Sequence, residues 1–336
     1  MRLRKRLERT GLSASRSMGL FELAARSRTR RNSLLILCYH GLSLCDEHEW
    51  LDHLFIRPEQ FRQRLACLRD AKASVLPLAE ALIRLEAGTL PPRSVALTFD
   101  DGFYDFLVHG IPILSEFGFP CTLYLTTHYC RYRLPIINLI LDYLLWKAGP
   151  QPVVLPEQGI EAPMRSATYE ERQQIVKRVL DWMARERLNT EGKDQVASEI
   201  ASRLGIDYGV LREKRMVQIL SCEEAHKVAR AGVDIQLHTH RHRTPRDRNL
   251  FVREIRDNAN FIRELTGKIP EHFCYPSGDY ALEFIPWLEE CGVKSGTTCE
   301  RGLAHRDSEP MLLPRVLDDS VMDSLRFESF VYGLFA

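Results

Sequence analysis

Residues 236–245 of this 336-residue chain read QLHTHRHRTP, with His238, His240 and His242 alternating inside five positions. Imidazoles clustered this tightly are suited to holding a divalent metal, and imidazole plus carboxylate is a common zinc set that leaves a position open for water. Two geometries are open. In an extended chain all three rings face one side and form a three-histidine site. If the chain coils after His238, then His238 and His242 converge and His240 points elsewhere. Spacing alone does not choose between them. A second cluster, Asp100-Asp101-Gly102, follows the apolar run SVALTF. By itself Asp-Asp-Gly reads as a polar turn and a helix N-cap. Two adjacent carboxylates also permit a division of labour, one binding a cation and its neighbour remaining free as a general base. A third cluster, Tyr275-Pro276-Ser277-Gly278, follows HFC.

Groups so far apart in the chain meet only if strands deliver them to one face. The patterning predicts this. Leu34–Tyr39, SVALTF (94–99), CTLYLT (121–126), VDIQL (233–237) and HFCYP (272–276) read as strands. Between them lie amphipathic helical patterns. Residues 58–70 place Phe61, Leu65 and Leu68 on one face behind Pro58, and Leu78, Leu82 and Leu85 repeat the spacing before Gly88. Ser221 and Glu224 form a capping-box pattern for a helix ending near Gly232, and Phe251, Ile255, Ile262 and Leu265 mark another that ends at Gly267. A further helix is expected at 282–291. Strands alternating with helices imply a parallel sheet, whose functional groups gather at the C-terminal strand ends. The expected fold class is α/β, with about seven parallel strands, a count that suits a barrel. Residues 131–215 break the alternation. Helical patterns at Pro135–Lys147, Tyr169–Glu186 and Gly192–Leu204, with no strong strand among them, read as a helical insertion.

The formal net charge of +1 supplies no global field to recruit nucleic acid. The first 31 residues nevertheless hold ten Lys/Arg against two Asp/Glu. Residues 1–32 are therefore expected to form a basic arm, either a frayed solvated tail or a peripheral contact with anionic lipid at the inner membrane face. Leu12, Met18, Leu20, Phe21 and Leu23 supply apolar material for the second reading. The first apolar run, Leu34–Tyr39, is too short for a secretory signal, and no stretch approaches the ~20 apolar residues of a membrane span. Nine cysteines, an odd number without a CxxC pair, fit reduced thiols in a cytoplasmic protein.

TFDDG (98–102), HTHRH (238–242) and YPSG (275–278), in that order, resemble the NodB-like polysaccharide deacetylases of carbohydrate esterase family four. LCYHGL, LPPRSVALTFDDGF, GFPCTLYLTT, GVDIQLHTHRH and GVKSGTTCERG…LLPRV resemble that family too, over roughly residues 33–130 and 216–318. The resemblance implies a distorted (β/α) barrel over 33–336 and hydrolysis of an amide carbon–nitrogen bond. The substrate it implies is an N-acetylated amino sugar in a polysaccharide, oligosaccharide or glycan precursor. It implies Asp100 as catalytic base and Asp101, His238 and His242 as ligands of a divalent metal, zinc or another transition ion. His240 then either supports the ligands from behind or lines the groove, and the Ser277 N–H is the nearest candidate to help form the oxyanion hole.

The chain departs from the family pattern in three places. No arginine precedes the Pro-Tyr-like segment, Ser277 stands where a tyrosine is common, and Leu312-Leu313-Pro314-Arg315 replaces a late Leu-x-His. Arg315 is therefore expected to pair with Asp100 in place of the missing arginine, the alternative being a surface ion pair. His40, at the end of the first strand, is the expected general acid, ahead of His305. His48 and His53 sit in an acidic loop and read as solvated, the alternative being a second metal site. Phe103, Tyr104 and Trp287 are groove or core aromatics. Two other functions compete: a metal-dependent amidase acting on a non-sugar C–N bond, and a catalytically silent carbohydrate-binding relative. If His40 donates the proton, activity falls as pH rises through its pKa, and His40→Gln removes that basic limb of the pH–rate profile. A limb that persists in His40→Gln excludes His40 as the acid.

Overall fold

The computed structural model describes residues 2–334, with side chains from Arg9 onward. Among them the main sheet contains nine strands. These are β1 Ser33–Tyr39, β2 Ser74–Val75, β3 Ser94–Phe99, β4 Thr122–Leu125, β5 Asp234–Leu237, β6 His272–Cys274, β7 Ser295–Thr297, β8 Ala304–His305 and β9 Val316–Leu317. The path runs β7-β6-β5-β4-β3-β1-β8, parallel throughout except for β8 against β1. The segment 313–317 joins its two sides. The Leu313 N–H donates to the Gly296 carbonyl of β7 at 2.8 Å, and Val316 lies opposite Leu37 of β1. The sheet is thus curled into a distorted (β/α) barrel.

Period-two alternation explains the two faces. Leu34 and Ile36 of β1, Ala96 of β3, Tyr124 of β4 and Cys274 of β6 pack together inside, with Leu313. Leu78, Ala81 and Leu85 of the helix Leu78–Ala87 join that cluster. The intervening residues, among them Leu35, Leu37, Val95, Leu97 and Phe273, are also fully buried. Both faces are apolar because helices cover the outside. Gly88 and Gly267 end their helices at φ of 68° and 72°, a left-handed conformation that glycine adopts without a Cβ penalty.

The basic stretch is not a frayed arm where side chains are described. It forms the helices Arg2–Ser17, Leu20–Ala25 and Arg28–Arg31. Leu12, Phe21 and Ala25 are buried, and the Phe21 ring meets Tyr332 of the helix Ser324–Tyr332. Arg30 is buried and donates to the carbonyls of Val331 (2.9 Å), Ser33 (3.1 Å) and Ser94 (3.2 Å). Burial, reinforced by Arg93, lowers its pKa to about 10. Of the apolar residues expected to meet lipid, Leu12 and Phe21 are buried in the fold while Met18, Leu20 and Leu23 are exposed; the side chains of residues 1–8 lie outside the described set. No helix among the described residues is long and apolar enough to cross a membrane.

Residues Tyr129–Ser221 form a second compact unit. Its helices are Ile137–Lys147, Tyr169–Arg185, Thr190–Arg203 and Tyr208–Glu213. A buried Arg172–Asp142 pair at 2.8 Å ties the first two. Contrary to the all-helical expectation, Val153–Leu155 and Ile160–Met164 pair antiparallel across a turn closed by Gly159. Strands of three and five residues are too short to show period-two patterning. Arg30→Ala leaves three buried carbonyls without their donor and is expected to cost about 2–4 kcal/mol of stability. Urea denaturation measures it; a loss below about 0.5 kcal/mol excludes Arg30 as the fastening of the N-terminal helices.

Candidate active site

The parallel strands end on one side, and the polar clusters follow them directly. β1 delivers His40, β3 delivers Asp100 and Asp101, β5 delivers His238, and β6 leads into Tyr275–Gly278. Asp101 turns at φ 69° and Gly102 at φ 86°, so the chain leaves the strand at once and the two carboxylates diverge.

Asp101 faces the histidines. Its Oδ1 lies 3.1 Å from His238 Nε2 and 3.1 Å from His242 Nε2. The two rings are T-shaped, with centroids 4.9 Å apart. Thr239 and His242 both adopt left-handed backbone, at φ 59° and 55°, and this coils the chain and swings His242 round. His240 is turned aside. Its Nδ1 meets Thr127 Oγ1 at 2.8 Å, its ring stacks edge-on against His128, and burial with Arg241 and His128 lowers its pKa to about 4. The donor set fits a metal. Zinc bonds of about 2.0–2.2 Å at tetrahedral angles put ligand atoms about 3.3–3.5 Å apart. His238 Nδ1 donates to the Cys274 carbonyl at 2.9 Å, which orients Nε2 toward Asp101. Burial opposes charge on Asp101, but His242 and His238 hold its pKa well below the ordinary range.

Asp100 faces the barrel interior. Arg315 grips it with two parallel bonds, Nη1 to Oδ1 at 2.8 Å and Nη2 to Oδ2 at 2.7 Å. Burial opposes ionisation of Asp100, yet Arg315 overrides it and keeps the carboxyl far below its usual pKa. Cys274 Sγ and Cys38 Sγ also approach Oδ2, at 3.3 and 3.5 Å. Neither thiol was singled out from the sequence, although strand alternation places Cys38 on the same side as His40. His40 Nε2 lies 3.7 Å from Asp100 Oδ2, and burial lowers its pKa against the pull of the two aspartates.

The Ser277 backbone is left-handed at φ 57°, while Gly278 and Asp279 N–H groups donate back to Tyr275 and Pro276. Ser277 itself is exposed at the same end of the barrel. The other candidates lie elsewhere. His305 sits opposite Ser33, at the start of β1 and away from His40. His48 contacts Ser43 and Glu49, and His53 contacts Asp52. Phe103 packs on Phe55, and Trp287 on Phe251 and Phe284, so both serve packing. Tyr104 is half-buried.

Removing Arg315 strands a buried carboxylate. Arg315→Ala is expected to destabilise by about 3–5 kcal/mol. Adding Asp100→Asn removes the buried charge and should restore part of that loss. Denaturation of both single variants and the double variant measures the coupling; additive losses mean that the pair is not coupled.

Residues 207–296 match the family described as polysaccharide deacetylase. A curated relative, the poly-beta-1,6-N-acetyl-D-glucosamine N-deacetylase of Staphylococcus epidermidis, is 27% identical over 109 residues. That alignment covers 30% of this chain and 38% of the relative, so the chain spans under two fifths of that protein's length. Among solved structures, the Streptococcus pyogenes deacetylase PplD in complex with acetate superposes with a TM-score of 0.59 at 17% identity, over 90% of this chain and 99% of that one. IcaB from Ammonifex degensii superposes at 0.53 with 16% identity, over 90% and 97%. At such identities these two establish the shared fold. The chain is thus similar to polysaccharide deacetylases in sequence over residues 207–296 and shares their fold over most of its length.

Proposed function

We propose that this protein is a metal-dependent hydrolase that removes N-acetyl groups from an amino sugar in a polysaccharide, oligosaccharide or glycan precursor. The observation that carries the reading is the split of one Asp-Asp pair. Asp101 shares an oxygen between two histidines, while Asp100 is held ionised beside them by Arg315. Asp101, His238 and His242 would hold the ion, zinc in our reading. Bound there, a divalent ion supplies Lewis acidity and makes a water more acidic.

The chain's own groups do the rest. Asp100 stays deprotonated at neutral pH and accepts a proton from the attacking water. Arg315 fixes both carboxylate oxygens, so the base does not rotate away. The Ser277 N–H meets the charge that develops on the acetamide oxygen. His40, whose Nε2 lies 3.7 Å from Asp100 Oδ2, would protonate the departing amine in this reading. The amide C–N bond breaks, and acetate and a free amino sugar leave. The nine free thiols, four of them buried, support a reducing cytoplasmic setting and hence a biosynthetic glycan as substrate.

Acetate release from N-acetylglucosamine oligomers tests the reading. Chelation should abolish it and zinc should restore it. Asp101→Ala and His238→Ala should lose metal and activity, whereas Asp100→Asn should keep metal and lose about 10²–10⁴-fold in turnover. Wild-type metal content in Asp101→Ala and His238→Ala overturns the ligand set. No acetate from N-acetylated sugars overturns the substrate class.

A further inference from the structure

We infer that the helix Arg248–Thr266 sets the geometry of the histidine loop through two positioning residues, Glu254 and Asn258, which clamp residues 238–243 so that His242 converges on Asp101. The inference rests on the metal-site reading above. The two residues lie four apart, on one helix face, and both are buried. Asn258 holds the start of the loop. Its Oδ1 accepts the His238 N–H at 2.9 Å, while its Nδ2 donates to the Leu125 carbonyl at 3.0 Å and to Thr127 Oγ1 at 2.9 Å. The β5 strand end is thereby pinned to the end of β4. Glu254 holds the far side. One oxygen accepts the Arg241 N–H at 2.8 Å, and the other accepts Arg241 Nη1 and Arg243 Nε, each at 2.9 Å.

Between these anchors lie Thr239 and His242, both left-handed without being glycine. Such backbone persists only where its surroundings over-determine it. The Thr239 hydroxyl adds one bond, accepting the Arg243 N–H at 3.1 Å, but the loop's other fastenings include the two from the helix. Burial opposes charge on Glu254, yet the bonds from Arg243 and Arg241 keep its pKa below the ordinary glutamate value. Neither Glu254 nor Asn258 belongs to the metal-donor set. Their influence on a metal therefore passes through the loop.

Zinc affinity of the full chain, measured by competition with a chromophoric chelator, provides the test. Cobalt substitution reports ligand geometry through its visible spectrum. Glu254→Gln keeps the size and removes the charge. It is expected to weaken zinc about 10-fold or more, the scale at which groups orienting metal-bound histidines act, and to alter the cobalt spectrum while the far-ultraviolet circular dichroism stays native. Arg243→Ala removes one half-exposed partner of Glu254, and a smaller loss in the same direction is expected even if Glu254→Gln does not fold. A lowered thermal midpoint with wild-type zinc affinity and cobalt spectrum overturns the clamp and leaves Glu254 a purely structural role. Failure of the wild type to bind zinc overturns the metal-site reading and the clamp together; wild-type binding with unaltered variants overturns the clamp alone.

Discussion

The buried ion pair between Arg315 and Asp100 is the constraint around which this barrel is arranged. Arg315 is fully buried and has five N–H donors to satisfy. Each finds an acceptor: Nε the Thr298 carbonyl, Nη1 Thr98 Oγ1 and Asp100 Oδ1, Nη2 Asp100 Oδ2 and Cys274 Sγ. A buried charge pair is tolerable only with such complete satisfaction. The requirement dictates neighbours. The interior must be small and polar at this level, and Thr98, Cys38 and Cys274 meet it. The guanidinium also needs a chain segment that enters the barrel from the seam. Residues 313–317 do this, bonded to β7 at Leu313 and to β1 at Val316.

The barrel interior is therefore graded along its axis. At one end aliphatic side chains fill it, with Leu78, Ala81 and Leu85 of a helix packed in the same cluster. Thiols and a hydroxyl follow, then the ion pair, then the Asp101–histidine cluster at the strand ends. This gradient gives the adjacent carboxylates different environments. Arg315 answers the charge of Asp100 from within, and imidazoles answer that of Asp101 from above. Two groups of identical chemistry, one residue apart, are thus separated into a carboxylate fixed by a guanidinium and a carboxylate shared between two imidazoles.

Backbone strain concentrates where the site is built. Of nine non-glycine residues with positive φ among the described residues, four are Asp101, Thr239, His242 and Ser277. Each lies within five residues of a strand end, where the chain turns sharply. The supporting bonds come from neighbouring strands and from the helix Arg248–Thr266. That helix reads in the sequence as simply amphipathic, its buried Glu254 and Asn258 hidden among apolar positions.

The sequence by itself determined the alternation of strands and helices, and with it the parallel sheet and the strand ends at which His40, Asp100, His238 and Tyr275 emerge. Those features are local: period-two and helical patterning, a glycine after a helix, polar residues after an apolar run. It also marked Arg315 as a cation after an apolar run, and the departure from the family pattern suggested Asp100 as its partner. Spacing left open which histidines converge and the resemblance named His238 and His242; only the tertiary structure supplies the cause, two left-handed residues and bonds from a helix further along the chain. Only the tertiary structure folded the basic N-terminus, since Arg30 finds its acceptors on β1, β3 and the last helix. Short strands such as Val153–Leu155 gain their definition from a partner strand. Pattern fixes what a segment presents on each face; contact between distant segments fixes what that face meets.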